Sequence, residues 1–291
     1  ALRARWLAVW GPDGLDERTG LAEQILGLAG ETGDRETELI GRARRITCSI
    51  EWGDIRAAEV DIAAHAGLAG ELRMPYHEWT AASMLAMRIL LQGSLETAEE
   101  LTETALTLLP GRRDAVYTRL NQLTPIRWDQ GRLGELRGAW QEIVDRFPRA
   151  GFSLAWLCLA DAELGRRDDA QRWLRSLVDA IHELPRNGIW LPALAVASVA
   201  ASLLEDPDSA ASVHPLLLPY ADRAIVMSVP HPVMCFGSAS LYVALLEAVM
   251  SRWEEANEHF GSAIRANTRL GARSLLARTQ YEYARMLSPR G

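Results

Sequence analysis

The sequence of 291 residues predicts an all-α fold, a right-handed superhelical solenoid of antiparallel helix pairs. Three observations predict it. Alternating Val/Ile/Thr segments flanked by Asn-Gly or Asp-Gly turns are missing, so strand signals are nearly absent. Apolar residues recur at i, i+3/i+4 and i+7 almost everywhere, which is the spacing of one helix face. The same order of glycine, small residue, bulky residue and small residue returns at intervals suited to stacked repeats.

Leu2–Trp10, a Gly11-Pro12-Asp13-Gly14 turn and Leu15–Ala29 read as a first helix pair. Asp34 looks like the start of a second pair, in which Gly53 is followed by Ala58 and Ile62. The clearest unit runs from Trp79 to Leu91, turns at Gly93-Ser94, continues through Ala98, Leu101, Ala105 and Leu108, and stops at Pro110-Gly111. Glycine suits a helix C-terminus in left-handed conformation, serine can cap the next helix, and proline cannot continue one. Asp114 opens a fourth pair, with Gly131 followed by Leu136, Trp140, Ile143 and Pro148. Gly165 leads to Ala170, Leu174 and Leu177 in a fifth. The most apolar run, Ile189 to Leu204, is shorter than the ~20 residues a membrane span needs and reads as a buried helix. Asp206-Pro207 starts its partner, a degenerate repeat around Ala210. Trp253 then leads to Ala256, Phe260 and Ala263, and Ala272–Leu287 forms a last helix. Seven pairs are expected to begin near residues 1, 34, 75, 114, 152, 190 and 236, followed by that final helix. The packing positions Ala58, Ala98, Ala105, Leu136, Trp140, Ala170, Ala256, Phe260 and Ala263 are expected inside, because paired helices approach closely only over such a stripe.

No Ser/Gly/Pro-rich linker divides the chain, so residues 1–291 read as a single domain. Its start inside a helical pattern, without methionine or a signal peptide, suggests a fragment of a longer cytoplasmic protein. Arginine supplies every one of the 31 basic residues, against 38 acidic ones, for a net charge of −7. A scattered, net-acidic charge lacks the basic face that phosphate neutralisation requires, so no direct contact with nucleic acid is expected. Nor is a membrane expected as partner. Cys48, Cys158 and Cys235 lie far apart and read as buried free thiols.

Catalytic and metal signatures are lacking. The six histidines, His65, His77, His182, His214, His231 and His259, are dispersed, with no HExxH and no His/Cys metal spacing. His231 between two prolines reads as a loop residue. Asp168-Asp169 follows Gly165-Arg166-Arg167 at a helix start, where acids complement the helix dipole. No GxSxG elbow is present. The expectation is therefore no catalysis, no metal and no cofactor. Among the ten tryptophans, Trp52, Trp140 and Trp253 are assigned to core packing.

The repeat grammar resembles the tetratricopeptide family over most of the chain. A narrower set resembles the carboxy-terminal helical arm of large actinobacterial ATP-dependent regulators, among them LuxR-type transcriptional activators and relatives with an adenylate-cyclase domain. It comprises Trp10-Gly11-Pro12-Asp13-Gly14-Leu15, Gly33-Asp34-Arg35-Glu36, Pro219-Tyr220-Ala221, Cys235-Phe236-Gly237, Arg252-Trp253-Glu254-Glu255-Ala256, Gly271-Ala272-Arg273, Leu276-Ala277-Arg278-Thr279 and Tyr283-Ala284. The resemblance implies an arm that senses an effector or protein partner and acts on neighbouring ATPase and output domains of the parent chain. No GxxxxGK[ST] phosphate loop occurs in this segment. First helices of stacked pairs tend to line a concave groove. Mapping the repeat puts Thr80, Ser83, Met87, Thr118, Asn121, Trp128, Asp129 and Phe152 there, a largely apolar lining suited to a small organic effector or an amphipathic peptide. The alternative is a stand-alone scaffold that joins two proteins. A further reading, an all-α enzyme, requires clustered acids or histidines that the linear sequence does not display.

Overall fold

The computed structural model describes residues 1–229 and 231–288. Among them fifteen α-helices follow in order: α1 Leu2–Ala8, α2 Leu15–Thr32, α3 Arg35–Glu51, α4 Ile55–Leu72, α5 Pro75–Leu91, α6 Leu95–Leu108, α7 Arg113–Asp129, α8 Arg137–Arg146, α9 Gly151–Glu163, α10 Arg167–Ala180, α11 Trp190–Leu204, α12 Pro207–Leu217, α13 Ala239–Val249, α14 Trp253–Arg269 and α15 Arg273–Leu287. Two strands, β1 Ala224–Ser228 and β2 Pro232–Ser238, form a hairpin between α12 and α13. The pair boundaries fall within three residues of those the repeat grammar predicts. Contacts divide the chain into two units, one of Ala1–Ile126 with Val226–Cys235, the other of Arg127–Ile225 with Phe236–Gly291.

Most turns between helices share one device. Gly93 sits at φ 85°, and the residues after it begin α6. Left-handed residues occupy the same place at Gly33, Gly53, Gly111, Gly131, Gly165 and Gly271, and also at Arg73, Glu205 and Ser251. The non-glycine cases accept the strain of a left-handed Cβ to keep the same turn. Aspartates follow at three of these turns. Asp34, Asp54 and Asp206 accept hydrogen bonds from the N–H groups of Thr37, Ala57 and Ser209, each satisfying one orphan donor. Ser94 occupies the N-cap of α6, but its side chain makes no capping bond.

Small residues let the helices meet. Ala58, Ala98, Ala170, Ala256 and Ala263 are completely buried, as are Trp140 and Phe260, and Ala105 nearly so. Leu136 is half-buried in a short 3-10 turn, Leu133–Leu136, that precedes α8. Within the first unit α1 to α5 pack each on the next, and α5 packs on α6. Within the second, α8 to α15 pack successively, while α9 meets α11, α11 meets α13 and α10 meets α12. Helix α11, the most apolar run, is buried at almost every position.

Two expectations are corrected. Ile225-Val226-Met227 lies in a strand, although strand signals are nearly absent from the sequence. All five residues of β1 are buried, so the period-2 alternation that betrays a half-exposed strand never arises. Its turn also lacks the Asn-Gly or Asp-Gly signature. Trp52 and Trp253, assigned to the core, are 46% and 39% exposed. Each sits where one helix ends or another starts, so packing covers it from one side only. The Trp52 indole N–H donates to Thr19 Oγ1 at 3.2 Å.

The hairpin covers side chains of first helices. In the first unit Gln122 of α7 donates to both the Ser83 and Val233 carbonyls, at 2.7 and 3.0 Å, pinning β2 against α5 and α7. Trp79 of α5 meets the His231 ring edge-on, with centroids 4.8 Å apart. In the second unit Phe236 packs on Phe152 and Trp156 of α9.

Candidate functional site

A cavity of about 240 Å³ in the first unit gathers polar side chains from four helices and the hairpin. Helix α3 supplies Glu36, Ile40, Ala43 and Arg44, whose spacing puts them on one face. Helix α1 contributes Arg3 and Leu7, one turn apart. His65 comes from α4, and Tyr76, His77 and Thr80 from the first two turns of α5. His231 closes the set from the hairpin, just ahead of β2.

Three of the histidines that sequence spacing scatters are therefore neighbours. The rings of His65 and His77 have centroids 6.1 Å apart, and Tyr76 meets His77 edge-on at 5.4 Å. Thr80 Oγ1 donates to the His77 carbonyl at 2.8 Å and lies 3.5 Å from His65 Nε2. His65, His77 and His231 are all buried. Burial, reinforced by the neighbouring His77, pushes His65 down to about 4. Burial, with His65 adding to it, takes His231 down to about 3. His77 is lowered too, chiefly by burial. At neutral pH the imidazoles are uncharged and serve as hydrogen-bonding groups. No cluster of His, Cys, Asp or Glu among the described residues has the geometry to hold a metal ion.

The fixed charge belongs to Arg44, which is 6% exposed. Burial lowers it to about 10, so it keeps its proton at neutral pH. Its guanidinium lies 4.0 Å from the Trp6 ring centroid. That stacking is worth about 0.5–2 kcal/mol. It does not replace the hydrogen bonds of a guanidinium, and Arg44 Nε and Nη1 are buried without an acceptor. Each such donor costs about 1–3 kcal/mol, so the two together outweigh the stacking. His65 Nδ1 and both nitrogens of His231 are likewise buried without a partner. The one acid in the lining, Glu36, lies on the exposed side 4.0 Å from His77. By contrast Arg18, 33 residues from its partner, forms a buried two-bond pair with Glu51 at 3.0 and 2.6 Å.

The side chains that the repeat mapping assigns to a groove are distributed otherwise. Thr80 lines this cavity. Ser83, Met87, Thr118, Asn121 and Phe152 are buried. Ser83 donates to the Trp79 carbonyl, and Asn121 Nδ2 to the Tyr117 carbonyl. In the second unit Trp128 donates to Glu163 at 2.8 Å and carries the Arg278 guanidinium on its face, 3.4 Å from the centroid. Asp129 accepts from the same arginine at 2.8 Å. Phe152 belongs to an aromatic cluster with Trp140, Trp156 and Phe236.

Other candidates are mostly occupied by contacts within the chain. A cavity of about 510 Å³ beside α15 includes Arg285, which donates to Ser202 Oγ at 2.8 Å and forms an ion pair with Glu282 at the same distance, while burial raises the Glu282 carboxyl. Asp168 and Asp169 lie in the first turn of α10, where acids stabilise the helix end. Burial raises the Cys48 thiol to about 11 and that of Cys158 to about 12, which makes both poor nucleophiles. Sequence reasoning missed Arg44, His65, His77 and His231 as a set. Nothing in one dimension links them except the proline-flanked His231. No protein-family model matches the chain and no curated protein matches it in sequence.

Proposed function

We propose that this chain is a non-catalytic regulatory binding module: a tetratricopeptide-like solenoid arm of a signal-transduction ATPase or LuxR-type regulator, taking a small effector in the His65/His77/His231 pocket. The observation that carries the reading is a cavity whose lining residues include Arg44, His65 and His231, each with a buried polar atom that has no partner in the chain. Folding alone gives no reason to keep them there, because a well-packed apolar lining would be more stable. The passage of first helix to first helix through α9, α11 and α13 is how a solenoid propagates, and it supports the repeat reading. A catalytic alternative fits less well. Thr80 gives its proton to a backbone carbonyl, and His65 has no acid on Nδ1 to orient it as a base.

An effector can regulate a neighbour only through unequal affinity for two states. The test adds this chain to the ATPase segment of its parent and follows nucleotide turnover. Turnover is expected to change, and Ala43→Phe, which fills the cavity beside Arg44, should abolish the response to added metabolite extract. Identical turnover with and without the chain defeats the regulatory reading.

A further inference from the structure

The geometry points to an oxyanion as the ligand's recognised group: we infer that the pocket binds a small molecule carrying a carboxylate or phosphate, held by Arg44 and by hydrogen bonds from His65 and His231. This deepens the proposed effector site and rests on that reading.

Arg44 presents a planar set of donors, and two of its nitrogens are buried with nothing to receive their protons. Guanidinium donors match carboxylate and phosphate oxygens in pairs, which gives both strength and orientation. Arg3 adds a second positive charge at the rim. Neutral imidazoles each offer one N–H and one acceptor; both nitrogens of His231 lack a partner, so it can donate to an anion and still read a hydroxyl beside it, while His65, whose Nε2 faces Thr80 Oγ1, has Nδ1 left for a single bond. A cationic ligand would meet Arg44 and Arg3 with only Glu36 to offset them. The volume holds the equivalent of roughly eight waters, which fits a compact organic acid and not a peptide. Leu7, Leu39 and Ile40 form the apolar part of the lining and leave room for a small hydrocarbon body.

The experiment uses the whole chain and histidine-resolved NMR with calorimetry. The probes are benzoate, inorganic phosphate, benzamide as a neutral isostere and benzylamine as a cation. Benzoate or phosphate is expected to move the imidazole signals of His65, His77 and His231, and to bind at least tenfold more tightly than benzamide and benzylamine. The responding anion tells whether the source is an organic acid or a phosphorylated molecule. Arg44→Met is expected to weaken that binding tenfold or more. Its melting temperature should hold or rise, since a buried charge without an acceptor is removed. His231→Phe keeps the ring against Trp79, removes both nitrogens, and should also weaken binding. It decides the matter where Arg44→Met fails to fold. Equal binding of benzamide or benzylamine, or full affinity in the variants, overturns the oxyanion assignment while leaving an effector pocket standing. Silence of all three histidines towards every probe at about 10 mM, a level that detects even millimolar affinity, overturns the pocket reading as well.

Discussion

At the scale of single residues, the chain treats its buried charges in two ways. Most are paired. Asp61, 2% exposed, receives Arg42 and Arg45, and Asp161, fully buried, receives Arg137 through two bonds of 2.6 and 3.0 Å. Arg44 stands apart because no carboxylate meets it, and that difference marks the pocket. The Arg18–Glu51 pair offers a measurable contrast. Its side chains are only 3% and 11% exposed, so Glu51→Ala leaves a guanidinium in the core. We expect a loss of about 3–5 kcal/mol in urea denaturation. A loss below about 1 kcal/mol would mean that Arg18 finds water or its Trp6 neighbour at little cost. Residue chemistry also explains His259. Its Nδ1 lies 2.7 Å from buried Glu247, which bonds His214 at 3.0 Å through its other oxygen. The hydrogen bond to Glu247 raises the His259 pKa.

At the scale of elements, the decisive device is the turn that ends one helix and starts the next. A left-handed residue followed by an aspartate or serine fixes the angle at which two helices meet, and small residues let them approach. Ala98 on α6, fully buried in the tight α5–α6 contact, is the sharpest case. Ala98→Leu is expected to cost about 1–3 kcal/mol by overpacking, read as a lower denaturation midpoint with an unchanged m-value. An unaltered midpoint would show that this contact can spread without penalty. These turns and stripes were legible beforehand because helix pairing is local: both partners lie within about 40 residues. The hairpin was not legible. Strands buried on both faces carry no alternation, and their stability comes from partners such as Gln122 that are more than a hundred residues away. That hairpin, by covering Phe152 and Trp79, decides which first-helix side chains remain open to a ligand.

At the scale of the whole molecule, the two units carry histidines of opposite sign. In the first, His65 and His231 titrate well below the free value of about 6.5. Below pH 6.5 the unfolded chain takes up protons that the folded unit refuses. Stability from these groups is therefore complete above pH 6.5 and is lost as pH falls towards 4, by about 1.4 kcal/mol per group for each pH unit. In the second unit His259 is raised, so its contribution is complete below pH 6.5 and is lost as pH rises through its folded value. Hydrogen exchange between pH 5 and pH 8 should thus show α3 to α5 gaining protection with rising pH, while α12 to α14 lose some. A uniform response across both units would contradict these assignments.

What the sequence by itself determined is the helical class, the places where the expected pairs begin, the turns and the small-residue packing stripe. Each follows from interactions between residues close in the chain, where spacing translates directly into geometry. What only the tertiary structure decided is the hairpin and the pocket. Arg3, Arg44, His65, Thr80 and His231 reach one cavity from five separate segments, and only the packing of α1, α3, α4, α5 and the hairpin brings them together. Burial then sets their chemistry: the same histidine is a charged surface group or a neutral hydrogen-bonding group according to the dielectric around it, and no linear pattern encodes that environment.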